Sequence, residues 1–177
     1  MGVLTRSVVL GLAAGGRSST GFAVPALAAV RGRPGAGPAL VRLLAGAAVL
    51  GETVADKLPA TPSRLLPPVL TARVASGALG AVGLSVVEGR RTGAHLVALL
   101  AGGVGGWLGS VGGSTWRTWA DGSGPDALRP DWRAALVEDA VVLRAAQGLV
   151  ESSDRRRRRP RVAVLYAQPA DEAYGHS

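Results

Sequence analysis

The sequence predicts an all-α fold, an integral membrane bundle of about five helical segments packed through glycine and alanine. Three observations lead there. Stretches dominated by Gly, Ala, Val and Leu recur along the chain, several of them near the ~20 residues that cross a ~30 Å hydrocarbon layer. Aromatic residues make up only 4% of 177, too few for the large side chains that fill a water-soluble core of this size. The 26 glycines instead suit helices that approach closely in lipid. Third, the net charge of +8 is concentrated, with Arg155 to Arg159 and Arg161 supplying six positives beside the last helical segment. Charge placed there sets topology and meets anionic lipid headgroups, and no nucleic acid is expected as a partner. The competing soluble reading, a Gly/Ala-rich helical protein of a GC-rich genome, fails on the length of the apolar runs.

Residues 3–30 form the first unit, interrupted by GGRSSTG at Gly15 to Gly21. Neither half reaches ~20 residues. The unit is either one helix with Arg17 facing protein, or two half-helices that meet at an irregular break or re-enter. Irregular backbone at membrane depth needs cover from protein or a water-filled cavity. A signal peptide ending at Ala26-Leu27-Ala28 is the weaker alternative, because the arginine interrupts the apolar stretch.

The second helix is expected from about Pro38 to Asp56, with Pro38 suited to a first turn. Glu52 and Asp56, four apart, share one face near its end. Pro59 and Pro62 stop it, and Ser63 can cap the next helix. That third helix runs from about Leu66 to Val87, carrying Arg73 and small faces at Ser76, Gly77, Gly80, Ala81 and Gly83. The fourth, about Ala94 to Trp116, places Gly105, Gly109 and Gly113 four apart, with Gly102 and Gly106 on an adjacent row. Such a zipper opens a groove for another helix, in the chain or in a homo-oligomer, and Gly11 and Gly15 echo it. Trp116 and Trp119 fall where an interfacial belt belongs. After a polar loop, Asp131 caps a fifth segment to Val150 that holds Glu138, Asp139 and Arg144. It either spans with its charges facing protein, the favoured arrangement, or lies in the interface. Residues 1–151 thus form the membrane domain, and 152–177 a basic tail expected to be disordered, its Arg155 to Arg159 run meeting anionic headgroups.

At ETVADKLPATPSR (Glu52 to Arg64) followed by TARVASGALGA, the pattern becomes specific. With LGLAAGGRSSTGFAVPALA near the start, the glycine-zipper helix and ALVEDAVV near the end, the chain resembles the bacterial membrane proteins catalogued as domain of unknown function 4126. The resemblance covers about Val8 to Val150 and implies an integral membrane domain of several helices, with no biochemical activity to carry over.

No cysteine is present, which excludes disulfides and thiolate chemistry, and two distant histidines offer no metal-ligand spacing. No nucleotide or metalloprotease motif occurs, so no cofactor is implied. The candidate polar site joins Arg17 and Thr20 at the first break with Glu52, Asp56, Lys57, Thr61, Ser63 and Arg64 of the charged knot, Arg73, and the Glu138–Asp139 pair. Ionisable groups in a bilayer are costly, pair with one another and mark ion or substrate routes. A loose echo between residues 3–56 and 94–150 suggests an inverted repeat of the kind found in secondary transporters. Two plainer readings compete. The knot can be a solvated loop whose charges fix register, with Arg17 and Arg73 snorkelling. The glycine helix can serve a structural, oligomerising module. A lipid-headgroup enzyme using Asp56, Lys57 and Arg64 ranks third. Loop arginines place the C-terminus in the cytoplasm of an inner-membrane protein, and the N-terminus joins it if the first unit re-enters.

Overall fold

The computed structural model describes residues 1–55 and 65–158. Its six α-helices are α1 (Val3–Gly16), α2 (Ser19–Val30), α3 (Ala36–Ala55), α4 (Pro67–Val87), α5 (Thr92–Gly122) and α6 (Asp131–Arg158). A 3-10 turn at Asp126–Leu128 precedes α6, and no strand occurs among the described residues. Among the described residues, three helices are long and apolar enough to cross a membrane: α3, α4 and α5.

The count exceeds five because the first unit is two helices. Gly15 and Gly16 weaken the end of α1, and Arg17 adopts an extended backbone (φ −148°, ψ 106°) that turns the chain. The contacts on either side show the direction of each half. Gly11 and then Gly15 of α1 pass Gly105 and then Gly109 of α5, so these two helices run parallel. Gly21 and then Pro25 of α2 pass Gly80 and then Gly83 of α4, so α2 runs parallel to α4 and opposite to α1. The first unit is therefore a hairpin of half-length helices that leaves and returns at one end of the bundle.

At that end, Arg6 of α1 pairs with Glu88 just after α4 at 2.6 Å, and donates to Ser153 Oγ at 2.6 Å and the Leu149 carbonyl at 2.9 Å on α6. Arg90 closes on the same Glu88 at 2.7 Å. Arg31 lies 3.9 Å from Asp154, and Arg42 donates to the carbonyls of Val30 and Arg33, both at 2.8 Å. Arg6, Arg31, Arg42 and Arg90 thus share one end, whereas a single crossing by residues 3–30 would have put Arg6 opposite the others.

Glycine governs the centre. Gly11, Gly77, Gly102 and Gly106 bring α1, α4 and α5 together so closely that a methyl on any of them would meet backbone at 3.0 Å or less. Gly105 and Gly109 likewise press on the backbone of Val8 to Leu12 in α1. Of the expected zipper, Gly102, Gly105, Gly106 and Gly109 are thus engaged inside one chain, and Gly113 lines a groove beside it. A core of Leu10, Val24, Ala28, Ala81, Leu84, Ala98, Leu149 and Val150 fills the space nearer the arginine-rich end.

Two helices outrun their expected bounds. α5 continues to Gly122, about 46 Å at 1.5 Å per residue, well beyond a hydrocarbon layer of ~30 Å. Its extension is anchored to α6 by Trp116 Nε1 on the Ala134 carbonyl (3.2 Å) and by the Arg117–Asp131 ion pair. α6 continues past Val150 to Arg158, taking the first residues assigned to the tail; 159–177 lie outside the described residues. The suggested inverted repeat is not reproduced. α5 is unbroken where the first unit breaks, and α1 and α5 run parallel while α3 and α6 run opposite.

Candidate functional site at the helix break

A helix break deep in a bundle exposes two sets of unsatisfied groups, the last carbonyls of one half and the first amides of the other. Here a charged side chain meets each set. Arg73 Nη1 of α4 donates to the carbonyls of Gly15 (2.8 Å) and Gly16 (2.6 Å), at the negative end of α1. Glu52 of α3 accepts from the amides of Ser18 (2.8 Å) and Ser19 (2.7 Å), at the positive start of α2, and from Ser18 Oγ at 2.8 Å. Arg73 Nη2 reaches Glu52 Oε1 at 3.3 Å, joining the two caps. Glu52 fills the position that an external anion takes at an open helix N-terminus.

The residue of the break itself is held from two further helices. Arg17 is 1% exposed, donates to Thr53 Oγ1 at 2.6 Å and pairs with Asp139 of α6. Thr20 Oγ1 returns to the Arg17 carbonyl at 2.8 Å, and Ser76 Oγ of α4 donates to the Ser18 carbonyl at 2.5 Å. Among the described residues, two guanidiniums and two carboxylates, Arg17, Arg73, Glu52 and Asp139, therefore sit together with opposite charges paired, the arrangement that buried ionisable groups require.

Depth follows from helix rise. Glu52 lies sixteen residues into α3 and Asp139 fifteen residues before Asp154, so the break is roughly 22–24 Å from the arginine-rich end. That depth is most of the ~30 Å thickness of a hydrocarbon layer.

Of the sequence candidates, Arg17, Thr20, Glu52, Arg73 and Asp139 converge here. Glu138, their neighbour on α6, stays beside the break, its Oε1 3.5 Å from where a Gly16 Cβ would stand, and with Gly16, Gly113 and Trp116 it lines a groove of about 390 Å³ between α1, α5 and α6. Asp56, Lys57, Thr61, Ser63 and Arg64 lie outside the described residues. Ser18, Ser19, Thr53 and Ser76 belong to the network without having been candidates on sequence grounds. Ser18 and Ser19 sit in the GGRSSTG interruption and Thr53 adjoins Glu52, so adjacency to a break and to a buried charge is the signal that points to them.

A second space leads to the break. A cleft of about 630 Å³ between α2, α3 and α6 runs from Arg31, Arg42 and Glu151 at its mouth, past Val49 and Ala146, to Thr20. It exists because α3 packs on α2 and makes at most marginal contact with any other helix among the described residues. Comparison with known proteins gives no match: no family model, no curated protein and no solved structure is similar to this chain.

Proposed function

We propose that this chain is a multi-pass protein of the bacterial inner membrane, a member of the family it resembles, working as a small transporter or channel-like protein at the charged helix break. The observation that carries the reading is the end of the α2–α3–α6 cleft at Thr20, whose hydroxyl bonds the Arg17 carbonyl between the two capped half-helices. Broken helices whose termini meet polar partners near a cavity are how several transporter folds build their sites. In this reading α1–α2 is re-entrant, α3 to α6 cross, and both termini lie on the cytoplasmic side with Arg31, Arg33, Arg90 and Arg91. α6 spans because its carboxylate Asp139 and its Ser153 point into the bundle, toward Arg17 and Arg6. The glycine row that suggested an oligomerising module is already occupied by α1 and α4, which removes the main support for that alternative.

The test uses the absence of native cysteine. Single substitutions Gln147→Cys, Val49→Cys and Thr20→Cys descend the cleft, Thr20 being only 1% exposed at its floor, and Ala14→Cys, buried in helix packing outside the cleft, is the control. A small water-soluble thiol reagent applied from the cytoplasmic side of vesicles is expected to label the first three at falling rates and the control not at all. Adding Gly46→Trp, in the cleft wall, should slow Thr20→Cys at least tenfold. Failure of Thr20→Cys to react from either side, while Gln147→Cys reacts, defeats the transport reading and leaves a purely structural one.

A further inference from the structure

We propose that the α2–α3–α6 cleft binds an anionic phospholipid, with its phosphate between Arg31 and Arg42 and one acyl chain along the cleft. The inference gives the transport reading a ligand class and rests on it only for what the bound molecule does. Three features select this ligand. The volume, about 630 Å³, lies within the ~300–1,000 Å³ span of small-molecule sites. The walls below the mouth are mainly aliphatic, with Leu27, Val49, Leu50 and Leu143 prominent, so a free phosphate or a hydrophilic solute finds few partners there. The mouth is polar and carries two guanidiniums against one carboxylate, Glu151, with Asp154 loosely paired to Arg31 at 3.9 Å. Both arginines are exposed, and Arg42 is held in place by the Val30 and Arg33 carbonyls, which turns it toward the end of α2.

Geometry supplies the rest. The mouth stands at the end of the bundle where the arginines gather, the level at which phosphate headgroups lie in the proposed orientation. Because α3 and α6 are scarcely in contact, the cleft is open between them, and a chain can enter sideways from the bilayer. Apolar side chains there face an apolar tail, and guanidiniums face a phosphate that can accept more than one hydrogen bond. Thr20 and the helix break lie at the tail end of the site, so a bound lipid covers the approach to Arg17.

The experiment uses the full chain purified in mild detergent, titrated with phosphatidylglycerol, phosphatidylcholine or glycerol phosphate, with bound molecules counted by native mass spectrometry. Phosphatidylglycerol is expected to bind at least tenfold more tightly than phosphatidylcholine, and glycerol phosphate not to be retained. Arg31→Gln with Arg42→Gln should reduce the preference at least fivefold. Gly46→Leu should weaken both lipids at least fivefold; a Cβ at Gly46 meets no atom within 4 Å and the rest of the side chain enters the open cleft, so this variant is expected to fold even if the arginine variant does not. The basic tail adds the same anionic-lipid binding to every protein compared, so the readout is the change in preference between the parent and each variant. Equal binding of the two lipids, or unchanged binding in the Gly46→Leu protein, overturns the proposal. Lipid binding with Thr20→Cys unreactive even in delipidated protein keeps this site and rejects transport. Labelling without lipid selectivity keeps transport and assigns the route to another solute.

Discussion

Replacing Asp139 by Asn is expected to lower stability by about 3–5 kcal/mol, because it strands the Arg17 guanidinium where almost no water reaches. The side chain of Arg17 is 2% exposed, and its remaining hydrogen bond to Thr53 cannot balance the charge. Removing both charges with Arg17→Met and Asp139→Leu is expected to recover most of the loss, since a buried pair replaced by apolar groups is often neutral. The Arg117–Asp131 pair serves as the reference. Its side chains are 25% and 47% exposed, so Asp131→Asn should cost only about 1 kcal/mol, including its effect at the start of α6. Unfolding in detergent followed by tryptophan fluorescence measures all four proteins, the chain having four tryptophans. An Asp139→Asn protein within ~1 kcal/mol of the parent would show that water or lipid headgroups reach Arg17 after all. The double variant also separates structure from function. If the pair only supports the fold, the stable uncharged protein keeps Thr20→Cys labelling and any flux; if the pair is the working site, it folds and loses them.

Legibility in the sequence tracks the kind of force involved. The long apolar helices are plain because length and composition alone decide whether a segment can cross lipid; α3 starts within two residues of expectation, and α4 starts within one and stops at the expected Val87. The interruption at Gly15 to Gly21 is equally visible, since adjacent glycines, an arginine and two serines all oppose a continuous apolar helix. Its consequence is not. Whether two half-helices continue across or turn back depends on which neighbours cap the freed backbone, and those caps, Glu52 and Arg73, come from helices 34 and 58 positions away. The pairing partners are also hidden: Glu138 and Asp139 look alike in sequence, and only the rotation of α6 sends Asp139 to Arg17 and Glu138 to the groove beside Gly16. The glycine repeat identifies a close contact without naming the partner, because a small face fits a helix of the same chain or of another equally well.

The tightest glycine contact among the described residues yields the sharpest expectation. Pro25 lacks an amide hydrogen, so the Gly21 carbonyl one turn earlier loses its α-helical partner. Gly80 of α4 lies directly against that carbonyl. A methyl at Gly80 would stand 1.9 Å from the Gly21 oxygen, with the Gly21 carbonyl carbon and Cα also within 3 Å. All three atoms are backbone, so no side chain can swing aside, and α2 itself must move. Gly80→Ala is therefore expected to destabilise the protein by at least ~3 kcal/mol, at or above the upper end for overpacked sites. Gly83→Ala, on the same helix one turn away, meets only the Pro25 ring at 3.4 Å. It should be neutral or slightly stabilising, because alanine is the better helix former by up to ~1 kcal/mol. The same unfolding measurement compares the two, and equal stability would mean that α2 sits farther from α4 than these contacts require. The displacement also reaches the helix break. Ser18 and Ser19 lie three and two residues before Gly21, and their amides are held by Glu52 at 2.8 and 2.7 Å. Shifting α2 away from α4 pulls that cap apart, so Gly80→Ala should change the reactivity of Thr20→Cys, whereas Gly83→Ala leaves it as in the parent.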